Sequence, residues 1–166
     1  MAVVTVKSKA ITNRDATPRV INDAAYADIQ IRQFIGAAAV ANGDSVGSKY
    51  IMGQIPSNAL VSSLFLNAPD IGTTTAADIG LYKTTADGGA VVDADFFKAA
   101  QALNAGPYTD VEVANGNVIS LANSEKRVYE LLGLTLDPNI KYDVVLTLTG
   151  AADAAGTVQL KCQYGV

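Results

Sequence analysis

Apolar residues recur at every second position along much of the chain, a period that belongs to strands and not to helices. From Tyr26, Ile29 and Ile31 alternate with Asp28, Gln30 and Arg32, as in a half-buried strand. Lys49 to Ile55 predicts a second strand, closed by Pro56, which has no N–H to give a ladder. Ala59 to Asn67 predicts a third. Leu60, Ser62, Leu64 and Leu66 mark one of its faces and Val61, Ser63 and Phe65 the other, so it reads as central. Asp78 to Lys83 predicts a fourth, ending in a turn around Asp87-Gly88-Gly89.

The period then changes. Phe96, Phe97, Ala99, Ala100 and Leu103 follow Asp95 at the spacing of a short amphipathic helix over Ala94–Leu103, stopped by Gly106-Pro107. Val111 and Val113 face Val118 and Leu121 across Asn115-Gly116, a hairpin dipeptide. Ser124 is placed to cap a second short helix running to Leu132, with Gly133 beyond its end. Alternation returns over Val144–Thr149 and Thr157–Tyr164, which predicts a long antiparallel hairpin with one wet face.

Short strands separated by turns predict a mostly β protein: an antiparallel β-sandwich or jelly roll with one or two short helices. Residues 1–25 have no sustained period beyond Val3-Val4-Thr5-Val6 and read as an extended N-terminal arm; residues 26–166 read as a single domain.

Composition narrows the chemistry. The 166 residues include no histidine and no tryptophan, and one cysteine, Cys162. Histidine is the side chain that titrates near neutrality, so Ser-His-Asp and Cys-His machinery and histidine metal sites are excluded. A lone cysteine makes no intrachain disulfide, and Cys162, on an alternating strand, reads as a small buried hydrophobe. The N-terminus lacks the basic-then-apolar pattern of a signal peptide, and no apolar run approaches the roughly 20 residues that cross a bilayer. A soluble protein made in the cytoplasm, with no membrane partner, is expected.

Net charge is −4, which argues against nucleic acid as a partner. The charge is split, however. Lys7, Lys9, Arg14 and Arg19 against Asp15 give the first 19 residues +3, and the other eight basic and fifteen acidic residues give −7. These four cations are the candidate contact residues, on an arm suited to an acidic neighbour or, equally, scattered without purpose.

Candidate catalytic and binding residues are few. Asp93 and Asp95 could serve as an acid–base pair, yet capping of the predicted helix accounts for both. Asp87-Gly88-Gly89 and Asn42-Gly43-Asp44 are oxygen-rich loops without the ligand spacing of a calcium loop. No Gly-Lys-Ser/Thr phosphate loop occurs, and Lys126-Arg127 beside Glu125 and Glu130 reads as a solvated helix face. Seven tyrosines are scattered. No enzymatic activity, no cofactor and no metal are expected.

Several stretches form a set: Gly47–Ala59, Asp78-Ile79-Gly80-Leu81-Tyr82, and Gly88-Gly89-Ala90-Val91-Val92-Asp93-Ala94-Asp95-Phe96-Phe97. Tyr129–Leu134 and Tyr142-Asp143-Val144 complete it. Over roughly residues 40–166 the chain resembles the small capsid decoration, or cement, proteins of tailed bacteriophages. The resemblance implies a jelly-roll or β-sandwich body, a homo-oligomer (dimer or trimer) on the outer surface of the virion, and the major capsid protein as partner. It implies no catalytic site. The other readings are a tail-tube, fibre-base or pilus-type subunit, a carbohydrate-binding sandwich, and, more remotely, a glycosidase using Asp93 and Asp95.

Overall fold

A computed structural model describes residues 6–22, 29–114, 116 and 118–166. Its strands are β1 (Ile31–Val40), β2 (Lys49–Pro56), β3 (Leu60–Ala68), β4 (Ala76–Lys83), β5 (Val91–Ala102), β6 (Tyr108–Glu112), β7 (Lys141–Leu148) and β8 (Gly156–Gly165). Two helices accompany them, α1 (Lys9–Asp15) and α2 (Val128–Leu131).

The strands form two four-stranded antiparallel sheets, ordered β1-β8-β3-β6 and β2-β7-β4-β5. Every consecutive pair except β4–β5 steps from one sheet to the other. That crossing pattern makes the sandwich a jelly roll, as the strand spacing predicts.

The core lies between the sheets. Leu64 and Leu66 of β3, and Val158, Leu160 and Cys162 of β8, meet Ile79 and Leu81 of β4 and Val144, Leu146 and Leu148 of β7, all buried. Each such aliphatic side chain contributes about 1.5–3 kcal/mol on leaving water. A bulge between Val61 and Ser63 shifts the parity of β3, so Val61 and Leu64, three residues apart, both face the core. The expected central position of β3, between β8 and β6, is observed.

Several expectations are corrected. Ala94–Leu103 is not a helix; most of it belongs to β5. Opposite β4, the register passes from Ile79–Lys98 to Leu81–Asp93, so a bulge carries residues 94–97. It turns the consecutive Phe96 and Phe97 inward, their rings 4.9 Å apart and nearly perpendicular. Two adjacent buried aromatics imitate helical spacing.

Thr149 to Ala155 does not close a hairpin. β7 pairs with β2 and β4 in one sheet and β8 with β1 and β3 in the other. The period of two fixes which way a side chain faces, not which strand lies beside it. Nor does β7 have a wet face, since six of its eight residues are buried.

β1 begins at Ile31, whose side chain is 64% exposed, and its inward row is Phe34, Gly36, Ala38 and Val40. The start of that expected strand, Tyr26–Asp28, lies outside the described residues.

Gly116 turns tightly, with Ile119 N–H donating to the Ala114 carbonyl at 3.0 Å, but β6 pairs with β3 and Leu121 is exposed. Asn115 lies outside the described residues. The second helix is shorter than expected. Glu130 accepts from Arg127 N–H at 2.8 Å at its start, Gly133 ends it, and Ser124 bonds back to the Leu121 carbonyl.

Candidate interaction surfaces and the carboxylate cavity

The N-terminal segment is not wholly extended. Ser8 caps α1 by accepting from Ile11 N–H at 3.4 Å. The chain then turns back, because Val20 N–H donates to the Asn13 carbonyl at 3.1 Å and the Asn13 amide bonds Asn22 at 2.9 Å. Asn22 also donates to the Ala10 carbonyl at 3.2 Å. Residues 8–22 therefore form a small stitched knuckle.

All four candidate cations lie on or beside it. Lys7 meets Asp15 at 2.9 Å and Arg14 meets the same carboxylate at 2.8 Å. The Arg14 hydrogen bond, then that of Lys7, holds the Asp15 carboxyl below its usual range. Exposed pairs of this kind hold weakly and yield to salt. Lys9 and Arg19 are exposed. Sequence reasoning missed the apolar half of the surface: Val6, Val20 and the 93% exposed Ile21 stand beside the cations. No periodic pattern announces them.

Three of the four edge strands, β2, β5 and β6, are poorly suited to strand addition. β2 ends in Pro56 and has a register shift between Ile51 and Gly53. β5 is interrupted by its bulge and by Ala100 at φ 46°, and β6 spans five residues with Asp110 at φ 46°. Interrupted edges resist pairing with another chain, whereas β1, the fourth edge, runs ten residues in unbroken register against β8.

Asp93 and Asp95 do not cap a helix, because no helix starts there. They lie on β5 and, with Phe96, Val118, Asn123 and Leu131, line a cavity of about 240 Å³. Asp95 N–H donates to the Asp93 carboxylate at 3.3 Å. Burial, and then the hydrogen bond with Asp95, pushes the Asp93 carboxyl above its usual range. Among the described residues, no group of three or more Asp, Glu or Cys is arranged to hold a metal.

A second cleft of about 150 Å³ lies on the outer face of the β2-β7-β4-β5 sheet. Lys49 Nζ sits 4.8 Å from the centre of the Tyr82 ring, and the Tyr82 hydroxyl meets Thr147 Oγ1 at 3.0 Å. Asp143, buried there, accepts from the Gln54 amide at 2.9 Å.

The oxygen-rich loops use their carboxylates to close turns. Asp44 accepts from Ala41 N–H at 2.8 Å and from the Tyr50 hydroxyl at 2.6 Å; Asp87 accepts from Thr84 Oγ1 at 2.5 Å. Cys162 is buried as expected, and burial pushes its thiol up to about 12, so it is unreactive near neutrality. Arg127 is more than a solvated charge, since its guanidinium donates to the Asn58 carbonyl at 2.7 Å and ties α2 to the β2–β3 turn.

No protein-family model matches the chain, and the comparison with curated proteins finds no match. Solved structures do match. A chain of the cyanophage Pam1 capsid asymmetric unit superposes with a TM-score of 0.55 at 15% identity, over 83% of this chain and 86% of the other. A chain of the capsid of Ralstonia phage GP4 gives 0.54 at 16%, over 82% and 84%. A chain of the Helicobacter pylori bacteriophage KHP30 capsid gives 0.44 at 14%, over 82% and 92%. The protein thus shares its sandwich fold, over more than four-fifths of each chain, with chains found in the capsid structures of phages Pam1 and GP4.

Proposed function

We propose that the protein is a structural subunit of a phage virion that decorates the outer surface of the capsid and cements it by bridging major capsid protein subunits. The observation that carries this reading is the fold shared with chains of two phage capsid structures over more than four-fifths of each chain. The sequence resemblance over residues 40–166 points the same way.

The chemistry is compatible with work by contact. A shell packed with DNA is under outward pressure, and a bridging subunit resists it through buried contact area. The knuckle at 8–22 presents Lys7, Lys9, Arg14 and Arg19 next to Val6, Val20 and Ile21, so it offers charge and apolar area together to an acidic, partly apolar neighbour. Because residues 8–22 are already stitched, docking orders less chain than an unstructured arm would need. Catalysis has no part in this reading. A homo-oligomer, dimer or trimer, is the form in which the subunit would sit on the shell.

The test is to mix the purified protein with shells that lack it. Saturable co-sedimentation at a fixed ratio to the major capsid protein is expected. Self-assembly into filaments without shells would instead favour a tail-tube, fibre-base or pilus-type subunit.

A further inference from the structure

The outer face of an antiparallel sheet is ordinarily its wet side. On the β2-β7-β4-β5 sheet, however, Asp143 and Val145 of β7 and Tyr82 of β4 are buried without belonging to the core between the sheets. All three line the cleft of about 150 Å³ on that face. Ile51 of β2, opposite Val145 in register and largely exposed, adds apolar surface beside them.

Asp143 is an unusual residue for such a floor. Aspartate is seldom buried unless it is paired, and its two oxygens can take about four hydrogen bonds. Here Oδ1 accepts from the Gln54 amide at 2.9 Å, and no described residue donates to Oδ2. The cleft therefore offers an open acceptor at its base. Its rim offers donors. Lys49 Nζ leans on the Tyr82 ring and Lys83 is exposed, and among the described residues neither makes an ion pair. The hydrogen bond from Tyr82 to Thr147 fixes the ring as a wall.

These groups together specify a ligand. It must donate to a carboxylate, accept from ammonium groups and bring an apolar side to Ile51 and Val145. A cation is opposed, because two lysines against one aspartate leave the cleft with one positive charge in excess. A simple anion accepts from the lysines, but it donates nothing to Asp143 and meets its charge. A zwitterion loses the water around two charges on entering. A sugar hydroxyl donates and accepts at once and carries no charge, and the C–H side of a sugar ring is apolar. The volume falls below the roughly 300–1,000 Å³ that hold drug-sized ligands, so a single ring is the size that enters.

We propose that this cleft is a subsite for one neutral pyranose ring. One hydroxyl donates to Asp143, others accept from Lys49 and Lys83, and the C–H side of the ring lies against Ile51. Such binding is a property of the isolated subunit, so it stands whether or not the protein cements a shell.

An NMR titration of the isotope-labelled full chain tests it. The methyl glycosides of glucose, galactose and mannose represent the end of a glycan chain, and the free sugars represent solutes. Saturable shifts of the Ile51, Tyr82 and Val145 amide signals with at least one sugar are expected, at a dissociation constant of about 1–10 mM. A response to the glycosides identifies a glycan end and a response to free sugars alone identifies a solute; either supports the subsite. Asp143→Asn and Lys83→Ala should each weaken binding at least about tenfold, while Ile35→Ser on the other sheet leaves it unchanged. Dispersion of the amide signals verifies folding, and Lys83→Ala, at an exposed residue, keeps the test open if Asp143→Asn does not fold. The proposal is overturned if no sugar gives saturable shifts at these amides, or if the folded cleft variants bind as the parent does. An equal or stronger response to sodium acetate or glycine also overturns it, since the cleft would then take a small anion or a zwitterion.

Discussion

Gly36 of β1 lies against Met52 of β2 so closely that a Cβ on Gly36 would fall well inside 3.0 Å of the Met52 carbonyl oxygen. These are edge strands of different sheets, and their meeting closes one side of the sandwich. Gly36→Ala should force the two backbones apart and destabilise the fold by about 3 kcal/mol, lowering the melting temperature by about 6–12 °C at this chain length. Gly43→Ala is the contrast: Gly43 has φ 91° and open space around it, so only backbone strain of about 1 kcal/mol is expected. Thermal melts of the two variants check the difference.

The β5 bulge should carry core stability out of proportion to its irregular look. Phe97 is fully buried and packs edge-on against Phe96. Phe97→Ala should lower stability by about 3–5 kcal/mol in urea unfolding, as for other large-to-small core changes. A loss below about 1 kcal/mol would mean that the bulge lies at the surface.

Two aspartates should give opposite pH signatures. The Ser57 hydroxyl and then the Asn139 N–H hold the Asp137 carboxyl below its usual range. The folded chain therefore releases this proton at lower pH than the unfolded chain does. The stabilisation is present above about pH 4 and is lost as pH falls through the folded value. Asp137→Asn should melt below the parent at pH 7 and converge with it near pH 2.

Asp93 is raised by burial and by Asp95, so its contribution is present below about pH 4 and is lost as pH rises through the folded value. Asp93→Asn should gain on the parent between pH 3 and pH 7. Melting temperatures across that range read both effects.

Removal of residues 2–20 should leave the sandwich intact. The described hydrogen bonds of the knuckle, Asn13 to Asn22 and Val20 to Asn13 among them, close within residues 8–22, while the core is built from strands that start at Ile31. Far-UV circular dichroism and the melting temperature of the body should change little, while occupancy on shells should fall. Unchanged occupancy would remove the arm from the binding surface.

Much of the sandwich was legible in the sequence because strands buried on one face write their burial as alternation. β2, β3, β4 and β8 fall where Lys49–Ile55, Ala59–Asn67, Asp78–Lys83 and Thr157–Tyr164 place them. What the period could not carry is pairing. Leu146 and Leu160 belong to neighbouring stretches of chain, yet their strands lie in different sheets, because a seven-residue connection crosses the sandwich instead of turning back. Bulges were illegible for a related reason: Phe96 and Phe97 both face inward only because β5 loses register against β4. Of the interaction surfaces, the charges at Lys7, Lys9, Arg14 and Arg19 were visible. The Asn13–Asn22 stitch that shapes the knuckle joins residues nine apart by side-chain bonds, which no short period encodes.

The most direct measurement is the thermal disruption of shells assembled with and without this protein, followed by light scattering and by release of packaged DNA. A capsid cement predicts that shells saturated with the full chain survive to a higher temperature than bare shells, and that shells exposed to the chain lacking residues 2–20 do not. Saturated shells that break at the same temperature as bare ones would contradict the cementing role.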